Sequence, residues 1–178
     1  MADIDLKAYS TGRGWQPIGD SKNQFCGYYD GNGRSISNLT INSNKEMVGL
    51  FGCIDQTGVI KNIVLKNANI QGNYNIGGIT GKNNGNISSC SVQGYFSGTV
   101  GIGFLSGVNH GIIENCFGKG EIDYDESDRN KLCVLVGGIA GINSDKAKIN
   151  NCYTDLVACP KTVGNIAGNN AGVIENYL

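Results

Sequence analysis

Glycine returns to the same place in five successive segments of this chain, and few architectures can accommodate that recurrence. The segments are "VGLFGCIDQTGVIKNI" from Val48, "IGGITGKNNGNISSC" from Ile76, "IGFLSGVNHGIIENC" from Ile102, "VGGIAGINSDKAKINNC" from Val136 and "VGNIAGNNAGVIENY" from Val163. Their leading glycines are Gly49, Gly77, Gly103, Gly137 and Gly164, at steps of 28, 26, 34 and 27 residues. A second fixed glycine follows each, at Gly52, Gly81, Gly107, Gly141 and Gly168. After a turn such as "NNG", "NHG" or "NNAG" comes an isoleucine: Ile60, Ile87, Ile113, Ile149 or Ile174. Two residues on stands Asn62, Ser89, Asn115, Asn151 or Asn176, and beside it Ile63, Cys90, Cys116, Cys152 or Tyr177. The stretch "SISNLTI", with Ile36, Asn38 and Leu39, fits the same frame and predicts a sixth copy of this half-unit. Periods in the twenties mark supersecondary units that bury their apolar faces against their neighbours.

Within each unit the local period is two, as in "IKNIVL" and "ISSCSV", which predicts strands. Composition agrees: 28 glycines, 2 prolines and 16% charged residues are unlike a helical bundle, because glycine is costly inside helices. The expected fold is therefore all-β, a parallel β-solenoid (β-helix) of about six coils, each stacked about 4.8 Å from the next. Its hand is expected to be right, from the bias of parallel crossovers. Residues 1–178 read as one solenoid domain, with 1–47 as lead-in segment and first coil and 48–178 as five repeats. The expected inward ladder is Ile36, Ile60, Ile87, Ile113, Ile149 and Ile174. The fixed glycines are expected at tight corners where a Cβ would clash or φ must be positive. Asn115, Asn151 and Asn176 are expected to hydrogen-bond amide to amide from coil to coil.

A formal charge of −1 gives no electrostatic reason to expect nucleic acid as a partner. No apolar run reaches the length of a membrane span, so membrane insertion is not expected, and "MADIDLKAYS" lacks the basic and apolar regions of a secretory signal. Seven cysteines are an odd number and cannot all pair within one chain, so reduced thiols are the simpler reading.

The string "GLFG" at Gly49 to Gly52, with its four counterparts in register, resembles the GLUG motif. The lead-in resembles the segment that commonly precedes such repeats, with its "DIDL" strand, its "W-x-PIG" turn around Trp15 and its "DGNG" turn from Asp30 to Gly33. The resemblance covers most of the chain. It implies a segment of a bacterial secreted or surface protein, like those attached to immunoglobulin A metalloproteases and haemagglutinin-like adhesins. It further implies an extracellular or cell-surface location and neighbouring domains in a longer chain, of which this sequence reads as an excerpt.

Reactive constellations are sparse in the sequence. His110, the sole histidine, takes the turn position of Asn84 and lacks a partner for an H-E-x-x-H zinc site. Cys90, Cys116 and Cys152 are expected to form a buried ladder, in which cysteine acts as a small hydrophobe. Cys133 and Cys159 lie just ahead of Val136 and Val163, which leaves a disulfide between neighbouring coils as an alternative to free thiols. The long step from Gly103 to Gly137 contains "EIDYDESDRNK", an acidic loop over 121–131 whose Asp123, Asp125 and Asp128 are the candidate ligand residues. Their spacing lacks the glycine and distal glutamate of a calcium loop, so a solvated excursion is the favoured reading and no cofactor is expected. Asp30 is expected to fix the "DGNG" turn, and Tyr74, Tyr95 and Tyr153 are either packing residues or sugar-stacking faces.

Three functions follow as expectations. The leading one is a non-catalytic scaffold or adhesion module whose partner is a host or cell-surface glycan or protein. The others are a carbohydrate-active β-helix enzyme or its polysaccharide-binding portion, and a solenoid segment that associates end to end.

Overall fold

A computed structural model describes residues 2–124, 135–159 and 163–177. The chain winds as a parallel β-solenoid of about five turns. Four stacked sheets make its walls. Sheet 1 holds Phe51–Ile54, Thr80–Asn83, Ser106–Asn109, Ala140–Asn143 and Ala167–Asn170. Sheet 2 holds Tyr28–Asp30, Val59–Lys61, Asn86–Ser88, Ile112–Glu114, Lys148–Asn150 and Val173–Glu175. Sheet 3, the widest, runs from Ile4–Asp5 through Ser35–Ser37 and Thr40–Asn42 to Val64–Gln71, Ser91–Gly98, Phe117–Tyr124 and Tyr153–Cys159. Sheet 4 holds Glu46–Val48, Tyr74–Ile76, Val100–Gly103 and Val136–Gly137. Every ladder between these strands is parallel, as expected of coils that all run the same way round.

The isoleucine ladder is present from Ile60 upward, with Ile60, Ile87, Ile113, Ile149 and Ile174 in register. The first three are 0% exposed and Ile149 is 1%, so these rungs are fully removed from water. Its lowest member differs from the expectation. Tyr29 pairs with Ile60, whereas Ile36 pairs with Leu65 in sheet 3. The half-unit "SISNLTI" is thus one wall further round the coil, because the lead-in spends Tyr28–Asp30 on sheet 2 before reaching it. That misplacement accounts for the sixth copy expected from sequence.

The fixed glycines also require correction. None of the ten has a positive φ. Their role is close approach: sheets 1 and 4 nearly touch, backbone to backbone. A Cβ on Gly81 would overlap the backbone of Met47 and Val48, and one on Gly107 would overlap that of Asn75 and Ile76. Positive φ is supplied instead at the corner between sheets 2 and 3 by Asn62, Ser89, Asn115, Asn151 and Asn176, with values from 49 to 55°. Asparagine tolerates this left-handed region better than other side-chain-bearing residues. The left-handed residue turns the chain so that the one after it also points inward, which buries Ile63, Cys90, Cys116 and Cys152.

Asparagines stack in two ways. At the corner, the Asn151 Nδ2 donates to Asn115 Oδ1 at 2.6 Å, as expected, but Asn176 Nδ2 donates to Asn150 instead, at 3.0 Å. The buried ladder lies elsewhere, at the turn after sheet 1. Asn83 Nδ2 donates to Asn109 Oδ1 at 2.8 Å, Asn109 to Asn143 at 2.9 Å and Asn143 to Asn170 at 2.8 Å. The first three residues are 0% exposed, and Asn83 and Asn109 also accept the backbone N–H of Gly85 and Gly111. Asn83 and Asn109 thereby each close their own turn and bond to the coil above.

Candidate functional site

Two of the polar residues that the sequence offers, Asp30 and His110, stand in turns. Asp30 accepts hydrogen bonds from Asn62 Nδ2 at 2.9 Å and from the Asn32 N–H at 2.8 Å, and its other oxygen lies 3.4 Å from Lys61 Nζ. The Asn62 bond, foremost, holds the Asp30 carboxyl below its ordinary range. His110 stands on the turn position equivalent to Asn84, its N–H donating to the Asn83 carbonyl. Shielding from water, with Lys82 a lesser cause, pushes its imidazole below the ordinary value.

Cys90, Cys116 and Cys152 stack in the core with free thiols, at 2%, 1% and 0% exposure. Hydrogen bonding to Cys152 and Cys90 together with burial raises the Cys116 thiol well above its usual value, so it is an inert packing group. Cys133 and the side chain of Cys159 lie outside the described residues.

Of the candidate cation ligands, Asp123 is on the outer face of sheet 3, where the Tyr95 hydroxyl donates to its Oδ2 at 3.0 Å. Asp125 and Asp128 lie outside the described residues. Among the described residues no cluster of three or more His, Cys, Asp or Glu converges as a metal site would require. Tyr95 and Tyr153 are each 37% exposed on sheet 3, while Tyr74 is half-buried in sheet 4. The tyrosines are thus divided between outer surface and wall.

One concavity went unnoticed in the sequence. A cleft of about 380 Å³ lies between lead-in residues 16–23 and the turn over 43–48. Its first wall is anchored to sheet 1 by bonds from the Ile18 N–H to the Leu50 carbonyl at 3.1 Å and from the Gly52 N–H to the Ile18 carbonyl at 2.9 Å. The Trp15 indole N–H donates to the same Leu50 carbonyl at 3.1 Å. Asp20 shapes the loop, its Oδ1 accepting the N–H of Lys22 at 2.8 Å and of Asn23 at 2.7 Å. Those two backbone bonds, Asn23 first, lower its pKa.

The opposite wall is the turn from sheet 3 into sheet 4, where Ser43 Oγ accepts the Lys45 N–H at 3.1 Å. Met47 follows with φ +59°. The equivalent residues in the next two coils are Asn75, at +55°, and Gly101, at +71°. A long side chain in this region carries strain that asparagine and glycine avoid. The "PIG" turn and Met47 were both visible in the sequence, but only the winding of the first coil brings them together.

Comparison with known proteins gives two relatives. The chain is 38% identical over 106 residues to halomucin of Haloquadratum walsbyi, a match covering 54% of this chain and 1% of that protein. It is 39% identical over 99 residues to a protein described as a Gly-rich membrane protein of Evansella cellulosilytica, covering 52% of this chain and 12% of the relative. The chain therefore spans only a small fraction of either relative. A scan against known families finds no match, and no solved structure matches.

Proposed function

We propose that this chain is a non-catalytic β-solenoid module of the GLUG type, serving as a rigid scaffold or adhesive segment in a surface-associated protein. The observation that carries this reading is the use of the same side chain at the same wall in coil after coil. Isoleucine fills the core, asparagine closes and links the turns, and glycine lets the walls approach. A stack of this kind specifies a stiff rod with extended flanks, the geometry of a spacer or a contact surface. The two relatives support it, since their matching regions are small parts of proteins whose names point to mucin-like and membrane-associated material.

Incubation of the folded chain with a panel of neutral and acidic polysaccharides tests the non-catalytic part. The expected result is no new reducing ends and no unsaturated products. Turnover of any member that tracks with the purified chain would overturn the proposal.

A further inference from the structure

We infer that the cleft between residues 16–23 and 43–48 is a binding site for a single neutral saccharide unit. The inference deepens the adhesive reading given above and rests on it. Two independent features point to this cleft. The first is its lining. The cleft is lined by the polar residues Gln16, Ser21, Asn23, Lys45 and Glu46 together with the apolar Pro17, Met47 and Val48. Among the described residues the side chains of Gln16, Ser21 and Glu46 make no internal hydrogen bond, and Asp20 spends only Oδ1 on its own loop. Donors and acceptors thus converge on the cleft without being consumed by the fold.

The second feature is the backbone of Met47. Its left-handed conformation places a long, polarizable side chain at a position where the coils above carry Asn75 and Gly101. Strain of this kind collects at binding sites, where the surrounding structure holds it in place. Here it supplies an apolar patch beside polar walls, and flexible thioether side chains fill irregular contacts well.

The chemistry of the lining selects the ligand class. The lining carries one cation, Lys45, and two carboxylates, Asp20 and Glu46, so a polyanion meets no excess of positive charge. A wholly apolar ligand would take Asp20, Lys45 and Glu46 out of water without giving them hydrogen bonds, which disfavours it. A ring with several hydroxyls satisfies mixed donors and acceptors while resting its C–H face on Met47 and Pro17. The volume lies within the roughly 300–1,000 Å³ of small-molecule sites.

The test uses the full chain, isotope-labelled, titrated with the methyl α-glycosides of glucose, galactose, mannose and N-acetylglucosamine. At least one is expected to shift the backbone amides of Gly19–Asn23 and Glu46–Val48 with a Kd on the order of 1–10 mM. The double variant Gln16→Ala with Glu46→Ala removes two groups that make no internal bond, so it should keep its fold and bind at least about tenfold more weakly. Met47→Asn should raise the melting temperature while weakening binding. The site is overturned if none of the four glycosides moves these amides at about 100 mM, or if the double variant, folded, binds unchanged. Either result leaves the non-catalytic scaffold standing, because that reading falls only on polysaccharide turnover.

Discussion

The molecule carries two kinds of asparagine stack that look alike in sequence and work by different physics. The stack of Asn83, Asn109 and Asn143, capped by Asn170, is buried, and each member donates its amide to the coil above. The others, one at the corner between sheets 2 and 3 and one at Asn38 and Asn67 within sheet 3, lie toward solvent, have positive φ and run the other way. Asn151 donates down to Asn115, and Asn67 donates down to Asn38. In the first stack the side chain is needed for its hydrogen bonds; in the second the residue is needed for its backbone. The opposite polarity has a consequence at the lower end. An asparagine that donates downward needs only an acceptor beneath it, and at the lower end the chain places carboxylates: Asp5 accepts from Asn38, at the foot of the Asn67–Asn38 pair, at 2.7 Å, and Asp30 accepts from Asn62, the lowest asparagine of its corner, at 2.9 Å.

The contrast breaks most sharply at Asn109. Asn109→Leu removes a rung, leaves the Asn143 Oδ1 and the Gly111 N–H without partners in a dry interior, and leaves the Asn83 amide only its two 3.3 Å bonds to the Gly85 and Ile112 carbonyls. The expected loss is about 3 kcal/mol, since an orphaned buried polar group costs roughly 1–3 kcal/mol. Equilibrium urea unfolding measures it. A loss near zero would mean that the turn holds without its amide.

At Asn115 the same contrast predicts a smaller effect that depends on conformation. Asn115→Ala should cost about 1 kcal/mol, the price of left-handed backbone with a Cβ, whereas Asn115→Gly should cost only a few tenths. If alanine and glycine prove equally harmful, the corner stack depends on its amide bonds after all, and the distinction between the two stacks fails.

The smallest effect is read through pH. Asp5 and Asp30 have their pKa lowered from 3.8, in each case chiefly by the asparagine amide above. A depressed folded pKa means the stabilisation is present above the unfolded value and is lost as pH falls through the folded one. The unfolding midpoint should therefore fall on acidification below about pH 4, and Asp30→Asn should make that fall shallower. An unchanged acid limb in the variant would mean that the bond from Asn62 to Asp30 does not stabilise the lower end of the corner.

Much of this was legible before any coordinates. The period of the glycines and the alternation around Ile60, Ile87 and Ile113 specify parallel stacked coils, and the cysteines at equivalent places stack in the core. Errors arose where the repeat is only approximate. "SISNLTI" shares the local frame of the repeats, yet local frame does not say which wall a strand joins, and Ile36 pairs with Leu65 rather than Ile60. Asn83 and Asn109 stand in the "NNG" and "NHG" turns, but their burial depends on the coils stacked beside them. The cleft was invisible because its two walls come from a lead-in loop and a later corner.

Sequence by itself determined the repeat, and with it the strand period, the all-β class and the residues that recur in the core, because these depend on spacing along one chain and the same side chain can stack only on its equivalent. The tertiary structure alone decided that the glycines serve close approach, that one stack of asparagines is buried while the others face water, and that Met47 meets the Asp20 loop. These depend on distances between segments whose separation along the chain carries no information about their separation in space.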